Sequence, residues 1–170
     1  MKKIIFIVLL LPIIAFGQKN ITYLNLKNSA GQLIKGSSVA KRFERQIEAS
    51  TFQSNSANND TRISFTMPVG SASGELRASL NNKQMLPKGE VTVTAKGREQ
   101  LTIVYKINME NIRVKSCYDI QSSNGEMVTQ VVLRAVRIGW TYYTNDRRGS
   151  LTVSGKNGWD AEKSTAWTSF

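Results

Sequence analysis

The sequence predicts a β-rich, single-domain fold with one short helix, and three observations carry that reading. Apolar and polar residues alternate with period two through several separate segments. One stretch, "MVTQVVLRAVRIGWTYY" (Met127–Tyr143), is rich in the β-branched and aromatic residues that suit a pleated, half-buried surface. Only one segment carries the start and stop signals of an exposed helix.

The N-terminus comes first. Lys2 and Lys3 precede an apolar run from Ile4 to Phe16, and Ala15-Phe16-Gly17 has the small–x–small form of a signal-peptidase site. Residues 1–17 therefore read as a signal peptide and residues 18–170 as one domain, exported to the periplasm or beyond the cell. The run is too short to span a bilayer stably and Pro12 interrupts it, so no membrane anchor is expected after cleavage. A domain of this length buries enough surface to hold a core without staples. Cys117 is the single cysteine, which excludes an intramolecular disulfide. It reads as a quiet strand residue, although its alternation with Arg113 and Lys115 is an exposed-face pattern that leaves an intermolecular bridge or a reactive thiol as the alternative.

Taken in order, Ile21–Leu26 reads as a strand. In "SSVAKRFERQIEAS", Val39, Phe43 and Ile47 make a helical stripe, while Phe43, Ile47 and Ala49 also fit an interrupted strand; helix is slightly favoured. Ser50–Asp60, dominated by Ser and Asn, reads as a polar loop. Ser73 is a plausible N-cap for a helix from about Gly74 to Lys83, with Glu75 in its first turn and Leu76 and Leu80 sharing a face. Pro87-Lys88-Gly89 closes that region. "EVTVTAK" alternates Val91, Val93 and Ala95 against Thr92 and Thr94. "LTIVYKINM" aligns Ile103, Tyr105, Ile107 and Met109, and "NIRVKSCY" aligns Ile112, Val114 and Tyr118. In the long stretch, Val131, Leu133 and Ala135 share one face, while Val136, Ile138, Trp140 and Tyr142 take the other. Such a switch implies different neighbours at the two ends, or a bulge.

The charge is +11, falling to +9 without Lys2 and Lys3. Local basic sets, Lys41, Arg42 and Arg45 or Arg147 and Arg148, do not interleave with aromatics as a single-strand groove would, so no specific nucleic acid is expected. With no histidine and one cysteine, Ser-His and Cys-His nucleophiles, histidine metal sites and thiolate zinc sites are excluded. Glu44 and Glu48, among Lys41, Arg42 and Arg45, read as surface ion pairs rather than a catalytic pair. The sequence thus offers no catalytic, cofactor-binding or metal-binding residues, and an enzyme is not expected.

The order of elements resembles the haemolysin-coregulated protein (Hcp) family of type VI secretion tube proteins. The resemblance rests on Ile63-Ser64-Phe65-Thr66, the capped helix, the Val91–Ala95 strand and the Tyr105–Ile112 strand with its Asn-aliphatic turn. It continues through the Val114 strand, Ile138-Gly139-Trp140-Thr141-Tyr142, and after a variable loop Gly158-Trp159-Asp160. It implies a mainly β fold, two antiparallel sheets forming a flattened β-barrel or sandwich with one short α-helix. It makes 41–50 a strand and Ser50–Asp60 an extended loop, with Trp140 and Trp159 as hairpin anchors rather than a binding platform. It also implies homo-oligomeric, hexameric rings able to stack, with spike or sheath proteins or small effector cargo as partners. Exposed strand edges free of proline are consistent with ring formation. The leader sets the chain apart from members that assemble in the cytoplasm. The alternative is an exported protein of this fold, outside any tube, that recognises an anionic polymer or surface partner.

Overall fold

The computed structural model describes residues 20–57, 60–96, 101–146 and 149–170. The expected signal peptide, and Arg147 and Arg148, lie outside the described residues. Nine strands and one helix follow in the order β1 (Asn20–Leu26), β2 (Ile47–Ala49), β3 (Thr51–Ala57), β4 (Asp60–Pro68), α1 (Ser71–Asn81), β5 (Met85–Lys96), β6 (Leu101–Gln121), β7 (Met127–Asn145), β8 (Leu151–Asp160) and β9 (Thr165–Ala166).

Every pairing is antiparallel, and the strands form one ladder in the order β2-β1-β5-β6-β7-β4-β3, with β8 on β7 and β9 on β8. The two ends of that path, β2 and β3, are consecutive in the chain with Ser50 alone between them, and Ser50 N–H donates to Thr66 O at 2.8 Å. The ladder must therefore fold over until its ends meet. The two expected layers are halves of one folded sheet, a flattened sandwich around Leu24, Leu26, Ile63, Phe65, Leu86, Val91, Ile107, Ile112 and Leu133.

The fold-over has a visible crease. Along β5 and β6, Leu86 pairs Ile112 and Lys88 pairs Glu110, but Pro87 and Asn111 form no pair; along β6 and β7, Asn111 and Val136 likewise skip. Pro87 has no N–H to give, and Asn111 sits at φ 53°, a left-handed conformation that asparagine tolerates better than most residues. Facing reverses across this line: the buried positions run Met109 then Ile112 on β6, and Ala135 then Ile138 on β7. The face switch read in Met127–Tyr143 is this crease. Its two ends also have different neighbours, β4 along Val128–Arg134 and β8 along Arg137–Asn145. Between them, Thr61 Oγ1 donates to Ala135 O and Ala161 N–H to Val136 O, so the changeover leaves neither carbonyl orphaned. Proline is thus not absent from the strands, since Pro87 lies within β5; it sits where a ladder donor is dispensable.

Three local expectations change. The helix begins at Ser71 behind Gly70, and Ser73 is its third residue, accepting Gly70 N–H at 3.1 Å; Glu75 then falls beyond the first turn and takes a hydrogen bond from Asn28 at 2.8 Å. The 38–46 segment is not helical: Val39 is 91% exposed, while Phe43 folds back to stack on Tyr23 with ring centroids 4.2 Å apart, and only Ile47–Ala49 is strand. Within Ser50–Asp60, expected as a loop, Thr51–Ala57 is instead a strand paired with β4, Thr51 opposite Thr66 and Asn55 opposite Arg62. Side chains at Gln53, Ser54 and Asn55 are exposed, so the apolar alternation that marks a half-buried strand is missing.

Candidate functional site

The C-terminal hairpin holds the residues the sequence singled out. Gly139 faces Gly158 across β7 and β8, and Ile138 faces Trp159. Trp140 and Trp159 are half-buried against the core, as hairpin anchors should be. The glycines lie on the opposite face, and the Phe170 ring occupies the space their side chains would need. A Cβ on Gly139 would lie 2.5 Å from that ring, and one on Gly158 would meet both the ring at 2.6 Å and the backbone oxygen of Trp167. Trp167 is 7% exposed, its N–H donates to Gly158 O at 3.0 Å, and its ring lies 4.8 Å from that of Phe170. Lys156 Nζ completes the clasp, 4.4 Å above the Phe170 ring and 2.5 Å from Phe170 O. The paired Gly-Trp motifs thus serve a hairpin that is apolar on one face and takes a strap on the other.

Besides the short β2 and β9, two longer strands have an edge without a strand partner among the described residues. Among the described residues, β3 pairs only β4, and β8 beyond β7 pairs only β9 at Trp159 and Asp160. Among the described residues, the outer edge of β8 from Leu151 to Asn157 has no strand partner, and its tip shows Val153 at 55% exposure beside the exposed Leu151. Neither open edge contains proline.

The outer face near the crease carries two transverse rows of charge. The first runs in strict register over four strands: Lys88 opposite Glu110, Glu110 opposite Arg137, Arg137 opposite Asp160. Signs alternate, and the contacts are 3.8, 3.1 and 2.8 Å. Hydrogen bonds from Arg137, then from the backbone N–H groups of Lys163 and Glu162, hold the Asp160 carboxyl below the usual range, while the bonds to Asp160 and then Glu110 raise Arg137. This row borders a cleft of about 400 Å³ between β5, β6 and the Trp167–Phe170 strap. On the other side of the crease the second row reads Arg113 opposite Arg134 and Arg134 opposite Arg62, all three exposed.

Of the remaining candidates, Cys117 is buried, not exposed. A bulge between Val114 and Ser116 shifts the register, turning Cys117 inward and Tyr118 out. Its thiol lies 3.7 Å from Ser73 O, and burial pushes its pKa up, which opposes thiolate reactivity. Beside it, Thr129 Oγ1 bridges Ser73 and Asp119 at 2.8 Å each, and Arg77 pairs Asp119 at 2.9 Å, docking α1 on β6. Lys41, Arg42, Glu44 and Arg45 are exposed, with Glu48 half-buried on β2. Among the described residues no cluster of metal-ligating side chains forms, and no helix is long and apolar enough to cross a membrane.

An antiparallel ladder folded into a flattened sandwich, with one short helix and a strap across its C-terminal hairpin, defines the class: a mainly β sandwich protein. The chain belongs to the family described as "Type VI secretion system effector, Hcp", which matches residues 23–142. Among solved structures it is similar to Hcp1 from Salmonella typhimurium, at 15% identity with a TM-score of 0.71, covering 87% of this chain and 99% of that one. A structure described as a type six secretion system protein is similar at 16% identity and a TM-score of 0.74, covering 88% and 100%. The secreted protein Hcp3 from Pseudomonas aeruginosa is similar at 17% identity and a TM-score of 0.62, covering 80% and 97%. At these identities the structures show the fold. No curated protein matches the chain.

Proposed function

We propose that this protein is a non-enzymatic, ring-forming structural component of the tube-protein type, exported by residues 1–17 and acting in the periplasm or outside the cell. Its mature chain, residues 18–170, closes into hexamers that stack and take up small effector cargo or meet spike and sheath proteins. The observation that carries the reading is the pair of open, proline-free edges, β3 and β8, on a chain of the Hcp family. Unpaired edges on a stable domain invite pairing with a neighbour, and two different edges on one protomer give the head-to-tail contact from which rings are built.

The mass of the purified mature chain by light scattering tests this. A hexamer is expected, and Val153→Lys, which sets a charge on the exposed tip of β8, should dissociate it. A wild-type chain that stays monomeric at high protein concentration overturns the proposal.

A further inference from the structure

The second charged row is the feature that neither the fold nor the ring reading absorbs. Arg113, Arg134 and Arg62 lie directly opposite one another on β6, β7 and β4 and are exposed on one face. Like charges opposed across strands destabilise a sheet, and the chain avoids this one row away, where Lys88, Glu110, Arg137 and Asp160 alternate in sign. Among the described residues, neither Arg113 nor Arg134 has an ion-pair or hydrogen-bond partner. Glu162, the carboxylate in the cleft of about 250 Å³ beside them, lies beyond 4.0 Å of both. Lys83 and Lys115 extend the basic surface, lining a second cleft with Arg113, and Arg62 borders a third with Ser64 and Gln130.

We propose that Arg113, Arg134 and Arg62 form a binding site for an extended polyanion bearing phosphate or sulfate groups, laid across β6, β7 and β4. The guanidinium fork grips such oxyanions through paired N–H donors. Neighbouring strands are about 4.8 Å apart, so the three forks span roughly 10 Å, more than one small anion bridges and suited to successive groups on a chain. Val132, Ser64 and Gln130 flank the row without an aromatic to stack on, so the site grips charge and does not read bases. Such a ligand neutralises the opposed pair Arg113 and Arg134, and the repulsion of that pair is the cost of keeping the site open. The site is independent of ring assembly: a monomer that binds polyanion leaves it standing.

The test is titration of the full chain with inorganic polyphosphate and with a heparin dodecasaccharide, which separates phosphate from sulfate on a sugar chain. Arg113→Gln with Arg134→Gln should weaken binding at least about tenfold and lower the salt slope by about 1–2. Lys41→Gln with Lys163→Gln, an equal change in net charge at exposed positions elsewhere, should leave affinity within about twofold. The melting temperature of the arginine variant should stay level or rise. Binding to neither probe, equal losses in both variants, polyglutamate bound as tightly as polyphosphate, or a lower melting temperature would each overturn the assignment.

Discussion

The two glycines under Phe170 look alike in sequence, yet the structure makes them respond differently to one methyl group. For Gly139→Ala the three atoms nearest the new Cβ all belong to the Phe170 ring, at 2.5–2.6 Å. A ring swings away, and the cost is bounded by what that ring contributes. Phe170 is half-buried, so its burial is worth about 1–2 kcal/mol, below the full value for phenylalanine, and the contact with Lys156 adds about 0.5–1 kcal/mol. Gly139→Ala should therefore cost about 1–3 kcal/mol, near the cost of Phe170→Ala, and the double variant should be no worse than the larger single.

Gly158→Ala also strikes the Trp167 backbone oxygen. That oxygen belongs to a segment fixed by the Trp167 N–H bond to Gly158 and by the Ala166 pairing with Trp159, so it cannot move without lifting the strap. Overpacking of this kind costs about 1–3 kcal/mol, and removing Phe170 leaves most of it in place. The assay is a double-mutant cycle in urea. At this chain length each kcal/mol shifts the melting temperature by about 2–4 °C. Coupling should approach the full Gly139→Ala cost for the first pair and fall well short of the Gly158→Ala cost for the second. Additive effects in the Gly139 cycle, or complete rescue of Gly158→Ala by Phe170→Ala, would refute the assignment of which atoms block each position.

Three further outcomes follow. Asn111→Gly should be neutral within about 0.5 kcal/mol, whereas Asn111→Val should cost about 2 kcal/mol or more, because a β-branched residue resists the left-handed crease conformation; chemical denaturation measures both. Phe43→Ala, which removes the buried ring stacked on Tyr23, should cost about 3–5 kcal/mol in the same assay. Asp119, stabilised as the anion by Thr129 and Arg77, has its folded pKa below the unfolded value. Its contribution is present above the ordinary aspartate range and lost as pH falls through the folded value, so Asp119→Asn should flatten the acid limb of a stability–pH profile.

What was legible in the chain follows from which forces write themselves into local order. Burial on one side of a strand leaves a period of two, so the strands from Val91 to Tyr143 and the face switch near Val136 could be read directly. The β3 strand, Thr51–Ala57, leaves no such trace, because Phe52 packs against the core but Gln53, Ser54 and Asn55 are exposed in succession, so no period of two is written. The crease was half visible, as a change of facing on β7, but its cause is one left-handed residue on the neighbouring strand. Alternation alone points Cys117 outward, because nothing in "VKSCY" announces the bulge between Val114 and Ser116. In each case the missed feature depends on a partner strand and not on the segment itself.

The charged rows carry that point to the surface. A count of +11 with basic residues scattered through the chain suggests a generally solvated surface, and by sequence Arg62, Arg113 and Arg134 are strangers to one another. Register makes them neighbours, just as it sets Lys88, Glu110, Arg137 and Asp160 in alternating order. The same sheet, a few residues apart on one face, therefore shows charge arranged for its own stability and, at Arg113 opposite Arg134, charge arranged against it. Replacing Arg134 by Gln should on this account be neutral or stabilising by about 0.2–1 kcal/mol, while losing polyanion affinity. A substitution that strengthens the fold and weakens binding marks a surface kept for a ligand; if Arg134→Gln instead weakens the fold, the row is part of the scaffold and the distinction between the two rows collapses.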